Sequence, residues 1–155
     1  MTPEVIIGNH QEIVPVPERW LTAFEEAAPE AVRLVLEHRN GNDAPLPHLG
    51  MLEVALVDDT TSDRVHREFM DITGPTDVIT FHHGEIVIGA EVARRQAEEY
   101  DEPLAREILR YLVHGMLHLA GHEDSSPESA ATMERLQEEI VGQLWHNGLR
   151  DRLSA

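Results

Sequence analysis

The sequence predicts a single domain that mixes α-helices with β-strands, and three stretches carry this prediction. Residues 51–57 (MLEVALV) are an apolar run that ends at two aspartates, which is typical of a strand. Residues 76–81 and 85–88 are two more strand-like runs, and the short connection between them predicts a hairpin. Residues 104–119 carry apolar side chains on nearly every side of a helix, so we expect a buried central helix.

The first fifty residues predict one more strand and one interrupted helix. Residues 5–7 are a short β-prone run that we interpret as the first strand. Pro17 is well placed at the first position of a helix with one apolar stripe. Pro29 is expected to interrupt this helix, and a second helical segment should then run to about residue 40. Residues 42–50 contain two prolines and are predicted to be a loop.

Three further helices are predicted around the central one. Ser62 is expected to cap a short helix with Val65 and Phe69 on its buried face. Residues 90–100 form an amphipathic pattern with arginines and glutamates outside. Residues 127–145 begin with proline and predict the last long helix.

The composition limits the class of protein. A chain of 155 residues with 41% apolar side chains can bury one core, so we expect one domain over residues 1–155. The absence of cysteine excludes disulfides and thiolate ligands, and it fits a reducing cytosol. The sequence shows neither a secretory leader nor an apolar run of the about 20 residues that a membrane span needs. We therefore expect a cytoplasmic protein with no membrane partner.

The charge restricts how a phosphate-bearing partner could bind. The formal net charge is −17, and all 12 cationic side chains are arginines. At long range such a chain is repelled by nucleic acids and by anionic membranes. Any phosphate would have to be bound locally, by arginines and a metal ion.

The stretch HGMLHLAGHED at residues 114–124 carries the strongest chemical signal. His114 and His118 are four apart, so a helix places both imidazoles on one face. Gly121 can end that helix with a positive φ and turn the chain, which lets Asp124 return as a third ligand. This spacing is that of the extended zincin motif with a carboxylate as third ligand. Three protein ligands leave one open position, which is typical of a catalytic zinc site.

The order of motifs resembles the YbeY family of rRNA-maturation endoribonucleases. The motifs are TDVITF at residues 76–81, GEIVIG at 84–89 and HGMLHLAGHED at 114–124, with weaker similarity at 53–59 and 133–136. The resemblance implies an α+β fold in which a small mixed four-stranded sheet packs with helices around a central metal-bearing helix. It also implies one zinc ion per chain and cleavage of single-stranded ribosomal RNA during its maturation and ribosome quality control. Ribosomal small-subunit components are the implied partners.

Two positions depart from the family pattern. The family usually has histidine where Asp124 stands, and His122 is the competing candidate for third ligand. The zincin spacing favours Asp124, and a carboxylate oxygen is a competent zinc ligand. The family's arginine ahead of the TDV strand, which is thought to contact substrate phosphate, is replaced by Met70. Arg67 lies one turn earlier and could bind the phosphate instead, although a plain surface arginine is the alternative interpretation.

Two other functions stay open. A zincin-like metalloprotease needs glutamate directly after the first histidine as its general base, and Gly115 stands there. The second is a non-catalytic ribosome-associated factor that has kept its metal site. Asp77 and Glu123 are near the motifs, but the sequence assigns a general base to neither. The ligand set His114, His118 and Asp124 would also suit iron, nickel or cobalt.

Overall fold

The computed structural model describes residues 2–154 and contains one four-stranded mixed sheet. The strands are β1 (Glu4–Asn9), β2 (Met51–Val57), β3 (Val78–Phe81) and β4 (Glu85–Gly89). Their order across the sheet is β1-β2-β4-β3. β2 pairs parallel with β1 on one side and with β4 on the other, whereas β3 pairs antiparallel with β4 as the predicted hairpin.

Five helices of at least ten residues surround this sheet, and none of the helices within residues 2–154 is long and apolar enough to cross a membrane. A 3₁₀ turn at Leu46–His48 precedes β2, and a π-type turn at Trp145–Leu149 leads to a last helical turn, α6 (Arg150–Arg152). The five helices are α1 (Glu18–Leu36), α2 (Asp59–Met70), α3 (Ala90–Glu99), α4 (Leu104–Leu119) and α5 (Pro127–Leu144). Of these, α5 is packed on α1 and α4.

The two faces of the sheet follow the two-residue period of the strands. Ile86 and Ile88 of β4 point into the main core, while Val87 between them points to the opposite face. Val87 belongs to a smaller apolar cluster against which Val65 of α2 packs, as predicted. The main core lies on the other face, between the sheet and helices α1, α4 and α5.

Helix α4 is the centre of the molecule, as its apolar pattern predicts. It contacts α1, α3, α5, β3 and β4, and most of its side chains are buried. The helix lies close against the sheet at Gly115, where an added Cβ would lie 2.7 Å from Ile86 Cδ1. Glycine is therefore needed to bring this turn of the helix, and the histidines beside it, against β4.

These elements confirm the predicted α+β class. The strand at 51–57 and the central helix at 104–119 have the predicted bounds, and the helix after Pro127 ends at Leu144. In each case the apolar positions in the sequence are the positions that the structure buries, so the pattern of the sequence predicts the element.

The predicted interruption at Pro29 is wrong. Helix α1 continues through this residue without a break. Pro29 is on the exposed face, so the carbonyl that loses its backbone donor can be hydrated. Phe24, Ala28 and Val32 on either side of it are fully buried, and their packing against the core holds the helix together across the proline.

Two predictions for α2 are also wrong. The helix is capped by Asp58, whose carboxylate accepts a hydrogen bond from Thr61 N at 2.9 Å. Ser62 is buried within the first turn instead, and its hydroxyl exchanges hydrogen bonds with the backbone N and O of Thr76 at 2.9 and 3.1 Å. Phe69 is 63% exposed rather than buried. Ser62 thus fixes α2 to the segment that leads into β3.

Gly121 makes the predicted turn after α4. Its φ is +100°, a conformation that side chains other than glycine rarely adopt. The turn packs against residue 40 after α1, where Asn40 N donates to Ala120 O at 2.9 Å. A Cβ at position 121 would lie only 1.9 Å from Asn40 O. Both the backbone angle and the neighbouring chain therefore require glycine here.

Replacing Gly121 by alanine should destabilise the protein strongly. The positive φ alone costs a non-glycine residue about 1–3 kcal/mol, and the contact with Asn40 O adds to this cost. We expect Gly121→Ala to lower the free energy of unfolding by roughly 3 kcal/mol or more in urea denaturation. Gly148 is the control, since its φ is +117° with open space around it. Gly148→Ala should lose clearly less, and equal losses would contradict the role of the contact with Asn40.

Candidate metal centre

Helix α4 and the turn after it bring three side chains together. His114 Nε2 and His118 Nε2 are 3.1 Å apart, and the rings meet edge to face with centroids 4.7 Å apart. Asp124 Oδ2 lies 3.8 Å from each of these nitrogens. One ligand atom from each of the three residues lies within 4.8 Å of the others. The cluster is half-buried, with Asp124 on its solvent side at 53% exposure.

The hydrogen bonds of the two Nδ1 atoms indicate which nitrogen of each imidazole carries a proton. His118 Nδ1 lies 3.0 Å from the backbone oxygen of His122. A carbonyl oxygen can only accept, so Nδ1 carries the proton and Nε2 presents a lone pair. His114 Nδ1 lies 2.8 Å from Gln137 Oε1 and is held in the same way. Two lone pairs and a carboxylate therefore converge on one point.

A positive charge between the three atoms would stabilise this convergence. Burial lowers the pKa of His118, and the neighbouring His114 lowers it further, although Asp124 opposes both effects. His118 is therefore neutral at neutral pH and cannot supply that charge itself. Two imidazole nitrogens and a carboxylate oxygen are a donor set that suits zinc and its first-row neighbours. The residues present thus fit a divalent cation.

His122, the competing third ligand, is turned away from the cluster. Its side chain is 9% exposed, and its Nε2 lies 2.6 Å from the backbone oxygen of His38. The structure brings Asp124 to the two histidines and does not bring His122. The backbone of His122 nevertheless matters, because its carbonyl orients His118. No side-chain pattern in the sequence could have indicated this role.

Two cavities adjoin the three residues. One, of about 580 Å³, is bordered by His114 and Asp124 and lined further by Asp77, Tyr111 and Gln137. The other, of about 410 Å³, is bordered by His118 and lined further by His82 and Glu123. The site therefore adjoins two open spaces rather than one.

Arg110 borders the larger cavity, but its charge is already neutralised. Its guanidinium binds Glu102 at 2.6 Å and Glu138 at 2.7 Å, and it also pairs with Glu107. Burial opposes the charge on Arg110, but the hydrogen bonds with Glu138 and Glu102 outweigh it and raise the pKa of the guanidinium. Burial and the nearby Glu107 raise the pKa of Tyr111, so the phenol in this cavity keeps its proton. Arg110 is therefore not free to bind a phosphate.

The remaining candidates from the sequence are spread around the site. Arg67 is exposed on α2 and donates to Asp63 at 3.1 Å. Within the described chain, Arg67 does not line either cavity beside the three residues. Asp77 lines the larger cavity, and its carboxylate accepts from Val78 N at 2.7 Å. The Asp77 side chain is therefore bound to the backbone at the start of β3.

A family model described as Endoribonuclease YbeY matches residues 7–145. A protein named Endoribonuclease YbeY from Rhodopirellula baltica is 34% identical over 149 residues, covering 88% of this chain and 73% of its own. One of the same name from Carboxydothermus hydrogenoformans is 32% identical over 147 residues, covering 89% and 95%.

A solved structure is similar in fold. The solution structure of TM1509 from Thermotoga maritima superposes with a TM-score of 0.54 and covers 94% of this chain and 95% of its own. The sequences are 23% identical, so this likeness concerns the fold alone.

The geometry predicts which residues are needed for metal binding. His118→Ala and Asp124→Ala each remove one of the three convergent atoms, and the purified variants should lose tight binding of added Zn²⁺. His122→Ala keeps the backbone carbonyl that orients His118 and should retain it. Metal content after dialysis, measured by mass spectrometry on folded protein, distinguishes the three variants. Stoichiometric zinc in His118→Ala, or its loss only in His122→Ala, would overturn the assignment.

Proposed function

The chain belongs to the YbeY endoribonuclease family, and on that premise we propose that it cleaves single-stranded RNA with one bound metal ion. The observation that supports this most is the convergence of His114, His118 and Asp124 on one open point. We take these three residues as ligands of one Zn²⁺ ion. Zinc would supply a Lewis acid that neutralises charge on the phosphate and activates the attacking oxygen.

The position of the site supports cleavage within a chain rather than at its end. An endonuclease must hold nucleotides on both sides of the bond that it cuts. The larger cavity adjoins His114 and the smaller one adjoins His118, so two separate spaces beside the candidate ligands are available to nucleotides. Each cavity is within the range of about 300–1,000 Å³ that ligand pockets usually have.

The substrate phosphate must be bound despite the negative charge of the protein. The net charge is −17, and Arg110 is taken by three glutamates. We propose that Arg67 assists the metal at the phosphate. Its pair with Asp63 is exposed to solvent and contributes at most about 1 kcal/mol, so the guanidinium can exchange that carboxylate for a phosphate at little cost.

We further propose that residues 1–155 act as one domain in the cytoplasm, in the maturation of ribosomal RNA and in ribosome quality control. The resemblance to the family supports this setting, and the lack of cysteine is compatible with it. Single-stranded ribosomal RNA would be the substrate, and small-subunit components of the ribosome would be the partners.

A metalloprotease is disfavoured by the packing at Gly115. The general base of a zincin protease is a glutamate at this position. Here the residue faces β4, and even a Cβ would lie 2.7 Å from Ile86 Cδ1. A glutamate side chain would have no space on that side.

The exposed surface of α2 supports the alternative of a non-catalytic ribosome-associated factor. Met70 occupies the position of the family's arginine and is exposed, as is its neighbour Phe69. A protein that binds the ribosome through such a surface without cutting RNA would keep the metal site and lack nuclease activity.

The reaction class can be tested with purified protein. We expect cleavage of a single-stranded RNA oligonucleotide that stops with a chelator, returns with added Zn²⁺ and is absent in His114→Ala. We expect no hydrolysis of casein or of model peptides. Peptidase activity that disappears in His114→Ala would support the protease instead, and metal binding without any RNA cleavage would support the non-catalytic factor.

The proposed role of Arg67 can be tested by comparison with Arg64, which lies on the same exposed helix. Loss of a charge-assisted contact to phosphate should lower the RNA cleavage rate of Arg67→Ala by about tenfold to a hundredfold. Metal content and melting temperature should stay nearly unchanged. Arg64→Ala removes the same charge and should have little effect. Equal, small effects of both substitutions would show that Arg67 is only a surface charge.

A further inference from the structure

We propose that Gln137 is a positioning residue that holds His114 with Nε2 toward the metal, and that Glu138 and Arg110 in turn fix the orientation of Gln137. The proposal rests on the metal centre proposed above. It assigns a task to a buried polar group on α5 that takes no direct part in metal binding. Neither the zincin motif nor any spacing in the sequence points to this residue.

The contact with His114 is the starting point. Gln137 is 8% exposed, and its Oε1 lies 2.8 Å from His114 Nδ1. A glutamine amide can present either its oxygen or its nitrogen to a histidine. The oxygen requires a proton on Nδ1 and leaves a lone pair on Nε2, whereas the amide nitrogen would require the opposite tautomer. The orientation of the amide therefore decides whether His114 can bind a metal through Nε2.

Glu138 fixes that orientation. Gln137 Nε2 lies 3.1 Å from Glu138 Oε2. An ionised carboxylate only accepts hydrogen bonds, so the amide nitrogen must face Glu138 and the amide oxygen must face His114. Burial acts against the charge of Glu138, but hydrogen bonds from Arg110 and Gln137 prevail and lower the pKa of its carboxyl group. Glu138 is thus ionised at neutral pH.

Arg110 holds Glu138 in place. Its Nε and Nη2 donate to the two carboxylate oxygens at 2.7 and 2.9 Å, which is a bidentate pair. Arg110 also binds Glu102, from the turn before α4, at 2.6 Å. The chain Arg110–Glu138–Gln137–His114 therefore starts and ends on α4 and passes through α5. In each hydrogen bond of this chain, the donor and the acceptor are fixed by the chemistry of the two groups. The tautomer of His114 is therefore set in the metal-free protein.

Gln137 and the carbonyl of His122 have corresponding tasks. The carbonyl accepts from His118 Nδ1, and the amide oxygen accepts from His114 Nδ1. Both partners are neutral, so Asp124 remains the only negative charge that the ligands bring to the ion. Partners of this kind usually change metal affinity by about 10–100-fold when they are removed.

Two pairs of variants test the proposal. Gln137→Leu removes the acceptor at nearly constant volume, and Gln143→Leu is the control on an exposed position of the same helix. Glu138→Ala releases the amide, and Glu139→Ala removes the same charge from the neighbouring position, which is exposed and contacts Arg135 instead. Gln137→Glu restores an acceptor toward His114 and serves as the rescue.

Two measurements are made on each variant. Competition with a chromophoric chelator gives the affinity for Zn²⁺. Long-range ¹H–¹⁵N NMR spectra of the metal-free protein, recorded well above the usual histidine pKa, show which nitrogen of His114 carries the proton.

We expect wild-type His114 to be protonated at Nδ1. Gln137→Leu should weaken Zn²⁺ binding by about 10–100-fold and shift the His114 proton toward Nε2. Glu138→Ala should change the affinity and the tautomer in the same direction by less. Both controls should resemble the wild type, and Gln137→Glu should regain affinity.

An unchanged tautomer and affinity in Gln137→Leu would overturn the proposal. If that variant does not fold, Glu138→Ala decides, and equal effects of Glu138→Ala and Glu139→Ala would then reject it. If the wild type binds no Zn²⁺, the proposed metal centre fails, while the NMR spectra still decide how Gln137 acts on His114.

Discussion

The structure depends on one electrostatic constraint, the meeting of two imidazole lone pairs on a largely buried helix. His114 Nε2 and His118 Nε2 are 3.1 Å apart, and the carboxylate of Asp124 approaches both at 3.8 Å. Lone pairs this close repel each other unless a proton or a metal cation lies between them. The surrounding fold maintains the arrangement. Gly115 lets α4 lie against β4, and the turn at Gly121 returns the chain so that Asp124 can approach. The position of the site thus depends on the backbone at these two glycines as well as on its own side chains.

The distribution of charge explains how an acidic protein can act on RNA. With a net charge of −17, long-range attraction to the substrate is absent, and binding must come from contacts inside the cleft. The arginine beside the site, Arg110, is neutralised by Glu102, Glu107 and Glu138. Its guanidinium therefore orders the helices instead of binding phosphate. A divalent cation on Asp124 and two neutral histidines would keep a net positive charge of one, so the metal itself would be the main cation that the phosphate meets.

The sequence predicted the parts of this account that depend on local periodicity. The strand at 51–57 and the ligand spacing on α4 follow from which faces of an element are buried, and such patterns are visible in a single chain. It failed where contacts between distant residues decide the outcome. Pro29 stays within a helix because of the core packing around it, and Ser62 binds Thr76 instead of capping. Gln137 was not found, because its importance arises only when α5 packs beside α4, 23 residues away from its partner.

The central claim is that His114, His118 and Asp124 hold one divalent cation, and a crystal structure of the zinc-loaded protein tests it most directly. Anomalous diffraction at the zinc edge locates the ion independently of the protein. We expect a single strong peak with both Nε2 atoms and an Asp124 oxygen at about 2.0–2.2 Å, and Gln137 Oε1 still in contact with His114 Nδ1. A peak elsewhere, or a shell that contains His122 while Asp124 points to solvent, would contradict it.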